Sequence, residues 1–269
     1  MALVPFPGTP SPYDGDPDDD ESSSGADKMS FLEHLDELRK RLIISVSALA
    51  IGFMVSWAYV EKLLDFIFTP LTATIKGGRF QYFEPGEAFM LRMKLAALAG
   101  LFLALPVILW QIWRFVAPGL YSNEKRLAIP FVFLSTVFFT LGAAFSHYVA
   151  FPWTMQFFAS FERPDMMFLP AIKPVFAMYV KMLLAMGLVF EMPTAVYFLA
   201  RVGLVTAGFL LRQFKYALLI IFIAAAILTP GTDVVSQALM AGPMIVLYVI
   251  SIGIAFVFAK KKKPADPDV

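Results

Sequence analysis

The 269-residue chain is 59% hydrophobic and only 16% charged, with a mean hydropathy of +0.70, whereas soluble globular domains carry roughly 25% charged residues; this is the composition of an integral membrane protein. Having no cysteine excludes disulfides, thiol nucleophiles and thiolate metal sites, and two histidines far apart, His34 and His147, do not make a metal centre. The net charge of +1 says little, because the information lies in how the charges are distributed.

Residues 1–28 are rich in Pro, Gly, Ser and Asp and contain no apolar run. Such a segment buries too little surface to offset its ordering entropy and reads as a disordered acidic tail. It has neither a hydrophobic core segment nor an Arg-rich amphipathic pattern, so it is expected to be neither a secretory signal nor a transit peptide. The next segment, Phe31 to Leu42, is a charged helix leading straight into an apolar span. Phe31, Leu35, Leu38 and Leu42 form one apolar stripe. Glu33, Glu37 and Arg41 line another face at i, i+4 spacing, where Glu supports Arg. A helix of this kind at a membrane surface is suited to receive another charged peptide.

Six apolar stretches follow, at about 42–60, 88–112, 127–151, 175–200, 214–229 and 236–258. Most reach the ~20 residues needed to cross a bilayer. The fifth is short, rising about 22 Å before the stop at Thr229-Pro230-Gly231, and the sixth carries Pro243. A short, interrupted pair of this kind thins the local bilayer or tilts against partners. The expected fold is all-α: a polytopic membrane domain over 29–259, followed by a basic tail at 260–269.

Fourteen of the 22 Lys and Arg residues fall on one side of these spans and five on the other, with Arg92, Lys94 and Lys181 in or near spans. By the positive-inside bias both termini are expected in the cytoplasm. The outer loops, 61–87 and 152–174, are long and rich in Pro and aromatic residues, which indicates a structured cap. Lys181, near the outer end of its span, reads as a snorkelling cation. Met178, Met182, Met186 and Met192 read first as packing residues, although methionine also suits varied apolar partners.

Four positions draw attention as possible chemistry. Glu191 sits within the fourth span beside Pro193, where a charged carboxylate costs at least a few kcal/mol. It should therefore face a partner, a wet cavity or the protein interior. Glu124 is the acidic residue of an otherwise basic inner loop, Arg114 to Leu127; equally, it reads as a charge favoured at a helix N-terminus. Asp233, after the Pro230-Gly231 turn, reads as a helix cap, and Gln237 one turn on could face the bundle interior. No phosphate-binding loop, dinucleotide fingerprint or nucleophile elbow is present. From the residues alone, a receptor for a charged peptide competes with a proton-coupled small-solute transporter centred on Glu191. The acidic positions outside the membrane, Glu37 and Glu124, favour the receptor, since a solute carrier has no need of them.

The pattern resembles one family in particular, the TatC proteins of the twin-arginine protein translocase. The resemblance rests on His34-Leu35-x-Glu37-Leu38-Arg39-x-Arg41-Leu42, Pro70-Leu71, and Pro106-Val107-Ile108-Leu109 leading to Trp113. It continues through Phe115-x-Ala117-Pro118-x-Leu120-Tyr121-x-x-Glu124-x-Arg126-Leu127, Phe190-Glu191-x-Pro193, and Thr229-Pro230 with Asp233-x-x-Ser236-Gln237. These motifs cover roughly 30–245 in order; the tail 1–28 lies outside them. The resemblance implies a six-helix, glove-shaped bundle in the bacterial cytoplasmic membrane with a concave face. It implies a non-enzymatic receptor, without cofactor, metal or nucleic-acid partner, that recognises signals with consecutive arginines on folded cargo. It places Glu37 and Glu124 opposite the two arginines, with Phe115 and Arg39 shaping the same cytoplasmic surface. Glu191, with Gln237 nearby, would be the polar site of the concave face, and Pro70 would belong to the outer cap. Helices five and six would dock TatA and TatB, further copies of the chain would assemble with it, and the proton-motive force would supply the energy.

Overall fold

The computed structural model describes residues 19–72, 80–116, 128–163, 165, 168–229 and 234–259. Helix α1, Asp19–Ala58, is 40 residues long and begins inside the acidic segment, with no break near residue 28. A turn at Tyr59 leads to α2, Val60–Thr72, an amphipathic helix within the first outer loop. Helix α3, Glu87–Val116, is a 30-residue apolar span.

α1 packs chiefly on α3, and the contact is made by backbone. A Cβ placed on Gly52 would lie 2.5 Å from the Gly100 carbonyl oxygen, and one placed on Gly100 would lie 2.6 Å from the Phe53 nitrogen. Small residues of this kind let membrane helices approach closely where lipid gives no hydrophobic drive to association.

The third span is α4, Ala128–Phe145, continued by a π-helical turn, Ser146–Ala150, into α5, Phe151–Ala159. The widened turn immediately precedes Pro152, whose ring crowds the preceding turn and whose missing N–H frees a carbonyl; there the Phe151 N–H reaches back to the Ser146 carbonyl. Helix α6, Ile172–Val202, is the central strut and packs on both α4 and the last helix. It ends in the left-handed Gly203, φ 86°, which lets the Leu204 N–H bond the Leu199 carbonyl at 2.9 Å, the usual service of a glycine at this position. A short helix, α7 (Ala207–Arg212), is capped by Thr206 and leads into α8, Phe214–Leu228, and α9, Val234–Phe258. The Tyr248 hydroxyl donates to the Leu210 carbonyl at 2.8 Å, tying α9 to α7.

Among the described residues five helical stretches are long and apolar enough to cross a membrane, and α8 is a shorter apolar helix of 15 residues. The six expected stretches therefore all fall on helices, with the fifth short as anticipated. The core is rich in methionine: Met155, Met182, Met186, Met240 and Met244 are fully buried with Leu95, Phe151 and Tyr179. Packing is the role these methionines play.

The loops at one end form a built cap. The Gln81 N–H bonds the Pro170 carbonyl at 3.3 Å and the Ile172 N–H bonds the Gln81 carbonyl at 2.8 Å, a parallel bridge to the start of α6. Ion pairs Glu61–Arg92 and Glu84–Lys173, both 2.9 Å, join α2 to α3 and the cap loop to α6. Both are exposed, so they contribute little energy individually; the backbone bonds fix the geometry.

Candidate functional site

At the end of the bundle away from this cap, α1 presents Glu37 and Arg41. The i, i+4 pair forms as the sequence predicts: Arg41 Nη2 donates to Glu37 Oε1 at 2.8 Å. Arg41 Nη1 also reaches Gln111 Oε1 on α3, at 3.4 Å. Gln111 is only 7% exposed, and the Arg41 and Glu37 side chains are 17% and 32% exposed. A guanidinium is thus held between a carboxylate and an amide at the seam of two helices. Its Nε is also buried, with no hydrogen-bond partner among the described residues. The planar fork of arginine suits this arrangement, since it directs separate donors at separate acceptors.

Arg39 is exposed on the same helix end, and Phe115 is half-buried in the last turn of α3, one turn beyond Gln111. Glu37, Arg39 and Phe115 therefore stand at one end of the packed α1–α3 pair. Glu124 and Asp233 lie outside the described residues. Pro70 is placed within α2, on the cap side.

Gln111 is the residue that sequence reasoning missed. Its signal was there, a lone amide in the apolar run Leu109-Trp110-Gln111-Ile112-Trp113, but its partner is 70 residues away.

A second polar locus lies inside the bundle, where α6 meets α4. Glu191 is half-buried and Oε1 is shielded with no hydrogen-bond partner among the described residues. Ser135, fully buried on α4, is within electrostatic reach of the carboxylate, yet neither group completes an aligned hydrogen bond. Thr194 Oγ1, one turn along α6 from Glu191, is likewise buried without a partner. Glu191, Ser135 and Thr194 are thus polar side chains buried or half-buried within the spans, where such groups are costly. Gln237 is not joined to them by the bond it makes: its Nε2 donates to the Phe222 carbonyl of α8 at 2.8 Å, fastening α9 to α8.

Among the described residues no three His, Asp or Glu side chains converge on a possible metal site. What the described residues offer is a charged surface at one end and polar side chains between spans.

Known proteins resemble this chain in sequence and fold. The family model described as Sec-independent protein translocase protein (TatC) matches residues 33–243. The Sec-independent protein translocase protein TatC of Desulforapulum autotrophicum is 44% identical over 237 residues, covering 88% of this chain and 87% of the relative. That of Koribacter versatilis is 39% identical, covering 87% and 88%. Among solved structures, a crystal structure of the twin-arginine translocase receptor TatC superposes with a TM-score of 0.71 at 33% identity, over 82% of this chain and 97% of that one. A second, in the detergent DDM, gives 0.73 over 82% and 99%. This chain belongs to the TatC family of Sec-independent protein translocase proteins.

Proposed function

We propose that this translocase component recognises the arginine pair of twin-arginine signal peptides on folded cargo, using Glu37 at the cytoplasmic end of α1 and Glu124 in the sequence that follows α3. The observation that supports the reading is the clasped Arg41: the Glu37 surface already holds one guanidinium, between a carboxylate and Gln111. Carboxylates bind guanidinium by paired, charge-assisted hydrogen bonds, whereas lysine offers a point charge. Phe115 and Arg39 flank the same surface. The apolar part of the signal then inserts along the helices toward Glu191 and the unsatisfied groups beside it. Both termini lie in the cytoplasm, and the protein resides in the bacterial cytoplasmic membrane. TatA and TatB dock on α8 and α9, further copies of the chain join the assembly, and the proton-motive force drives export.

The test is binding of a labelled twin-arginine peptide to the purified protein in nanodiscs, wild type against Glu37→Gln and Glu124→Gln. Each substitution is expected to weaken binding by about tenfold, the loss of one charge-assisted bond worth about 1.5 kcal/mol. A peptide with lysines in place of the arginines should bind several-fold more weakly. Equal binding by both variants, or equal affinity for both peptides, overturns the reading.

A further inference from the structure

On the flank of the bundle an open groove of about 800 Å³ lies between α1, α3 and α6. Its lining is apolar, with Phe53, Leu101 and Phe176 among the walls, except for Lys94 of α3. Lys181 of α6 stands one turn from both Ala177 and Leu184, which line the same groove. Both lysines are exposed.

Neither lysine forms an ion pair among the described residues, whereas Arg92 and Lys173 on the same two helices pair with Glu61 and Glu84. No Asp or Glu lines the groove. A cation within a span is costly until an anion or water meets it, so the groove is complementary to negative charge. That charge is wanted at one end. In a helix each Cα–Cβ bond tilts toward the N-terminus, and the N-terminal ends of α3 and α6 lie at the cap. Both lysine stems therefore lean to the capped end of the groove and leave its other end apolar.

Length decides what such a groove can seat. Its walls run over 46–54 of α1, 94–101 of α3 and 176–184 of α6, about 10–12 Å of helix in each case. A membrane-crossing helix needs a track of about 30 Å, so a partner helix would leave most of its length unsupported. A flexible apolar chain under an anionic head matches the length, the apolar walls and the end toward which the lysines lean. We propose that the groove binds an acyl chain of an anionic phospholipid, with the headgroup phosphate held at the capped end by Lys94 and Lys181. Basic side chains set between membrane helices bind anionic headgroups on the same electrostatic ground.

Native mass spectrometry of the full chain tests this, with release from nanodiscs of phosphatidylglycerol or of phosphatidylcholine with the same acyl chains, whose choline cancels the phosphate charge. Wild type should retain one phosphatidylglycerol at about three- to tenfold higher occupancy than phosphatidylcholine. Lys94→Gln combined with Lys181→Gln should remove that preference. Lys62→Gln, which removes an exposed cation of α2 outside the groove, should keep it. Ala177→Trp should fill the groove and lower retention of both lipids with both lysines in place. Equal retention of the two lipids by wild type overturns the proposal, and so does a preference that survives the double substitution or is lost in Lys62→Gln. Full retention in Ala177→Trp would place the lipid elsewhere and overturns it as well. Retention of neither lipid, the result if a protein segment fills the groove, does the same.

Discussion

Replacing Gly100 by alanine puts one methyl group into the backbone of α1. The added Cβ would sit 2.6 Å from the Phe53 nitrogen and 2.8 Å from the Gly52 carbonyl carbon, where ordinary contact begins at 3.4 Å. No side chain can turn aside, so the helices must part by about 0.8 Å at the crossing. Overpacking of this kind costs about 1–3 kcal/mol. α1 has little else to rest on, since only 11% of its span is buried. The parting also reaches the charged end: the Arg41–Gln111 bond, at 3.4 Å, has no slack to stretch. Gly253→Ala is the control, because nothing lies within 4 Å of its added Cβ, and alanine in a helix should be neutral or slightly stabilising. The assay is reversible unfolding in mixed micelles titrated with sodium dodecyl sulfate. Gly100→Ala should lower the unfolding free energy by about 1–3 kcal/mol and Gly253→Ala by none. If the two variants are equally stable, the backbone contact is not what holds α1 in place.

Three further outcomes are expected. Gln111→Leu leaves Arg41 one acceptor short in a half-buried site and should cost about 1–2 kcal/mol of unfolding free energy, with weaker binding of the twin-arginine peptide; unchanged values for both would remove Gln111 from the site. Glu191→Leu removes a carboxylate half-buried between spans, so the bundle should be as stable or up to about 2 kcal/mol more stable, while export of a folded reporter from membrane vesicles falls; a clear loss of stability would identify Glu191 as structural glue instead. Tyr179→Phe strips the His147 ring of its hydrogen bond to the Tyr179 hydroxyl and should destabilise by about 1–3 kcal/mol in the same unfolding titration; no change would mean the His147–Tyr179 contact carries no energy.

What could be read in advance follows from the range over which each signal acts. The spans were legible because bilayer thickness imposes long apolar runs, and the Glu37–Arg41 pair because i, i+4 spacing lies within one helix. The family was legible from motifs spread over most of the chain. α2 and α7 were not anticipated, since one is amphipathic within a loop and the other is six residues long. The π-helical turn also escaped notice, being a local answer to the backbone demands near Pro152. Gln111 and the Gly52–Gly100 crossing were invisible for a different reason. Each means something only when two distant segments meet, and nothing in either segment alone names the other. The same holds for the bond from Gln237 to the Phe222 carbonyl of α8.

The backbone crossing of α1 and α3, taken with the cap, has a mechanical meaning. α3 is 30 residues long, about 45 Å from end to end. Its capped end is tied to α2 by the Glu61–Arg92 pair, and the loop leading into it is moored to the start of α6 by an ion pair and backbone bonds. Near mid-length Gly100 bears directly on Gly52, a fulcrum with no soft side chain between the beams. Stiff rods resting on such a fulcrum swing rather than bend: a tilt of about 5° sweeps the far tip, about 24 Å away, through about 2 Å. The tip that travels carries Gln111 and Phe115, and the rod beside it carries Glu37 and Arg41. A ligand that prises the Arg41 clasp open therefore acts at the long end of a lever, where a small force does the most work.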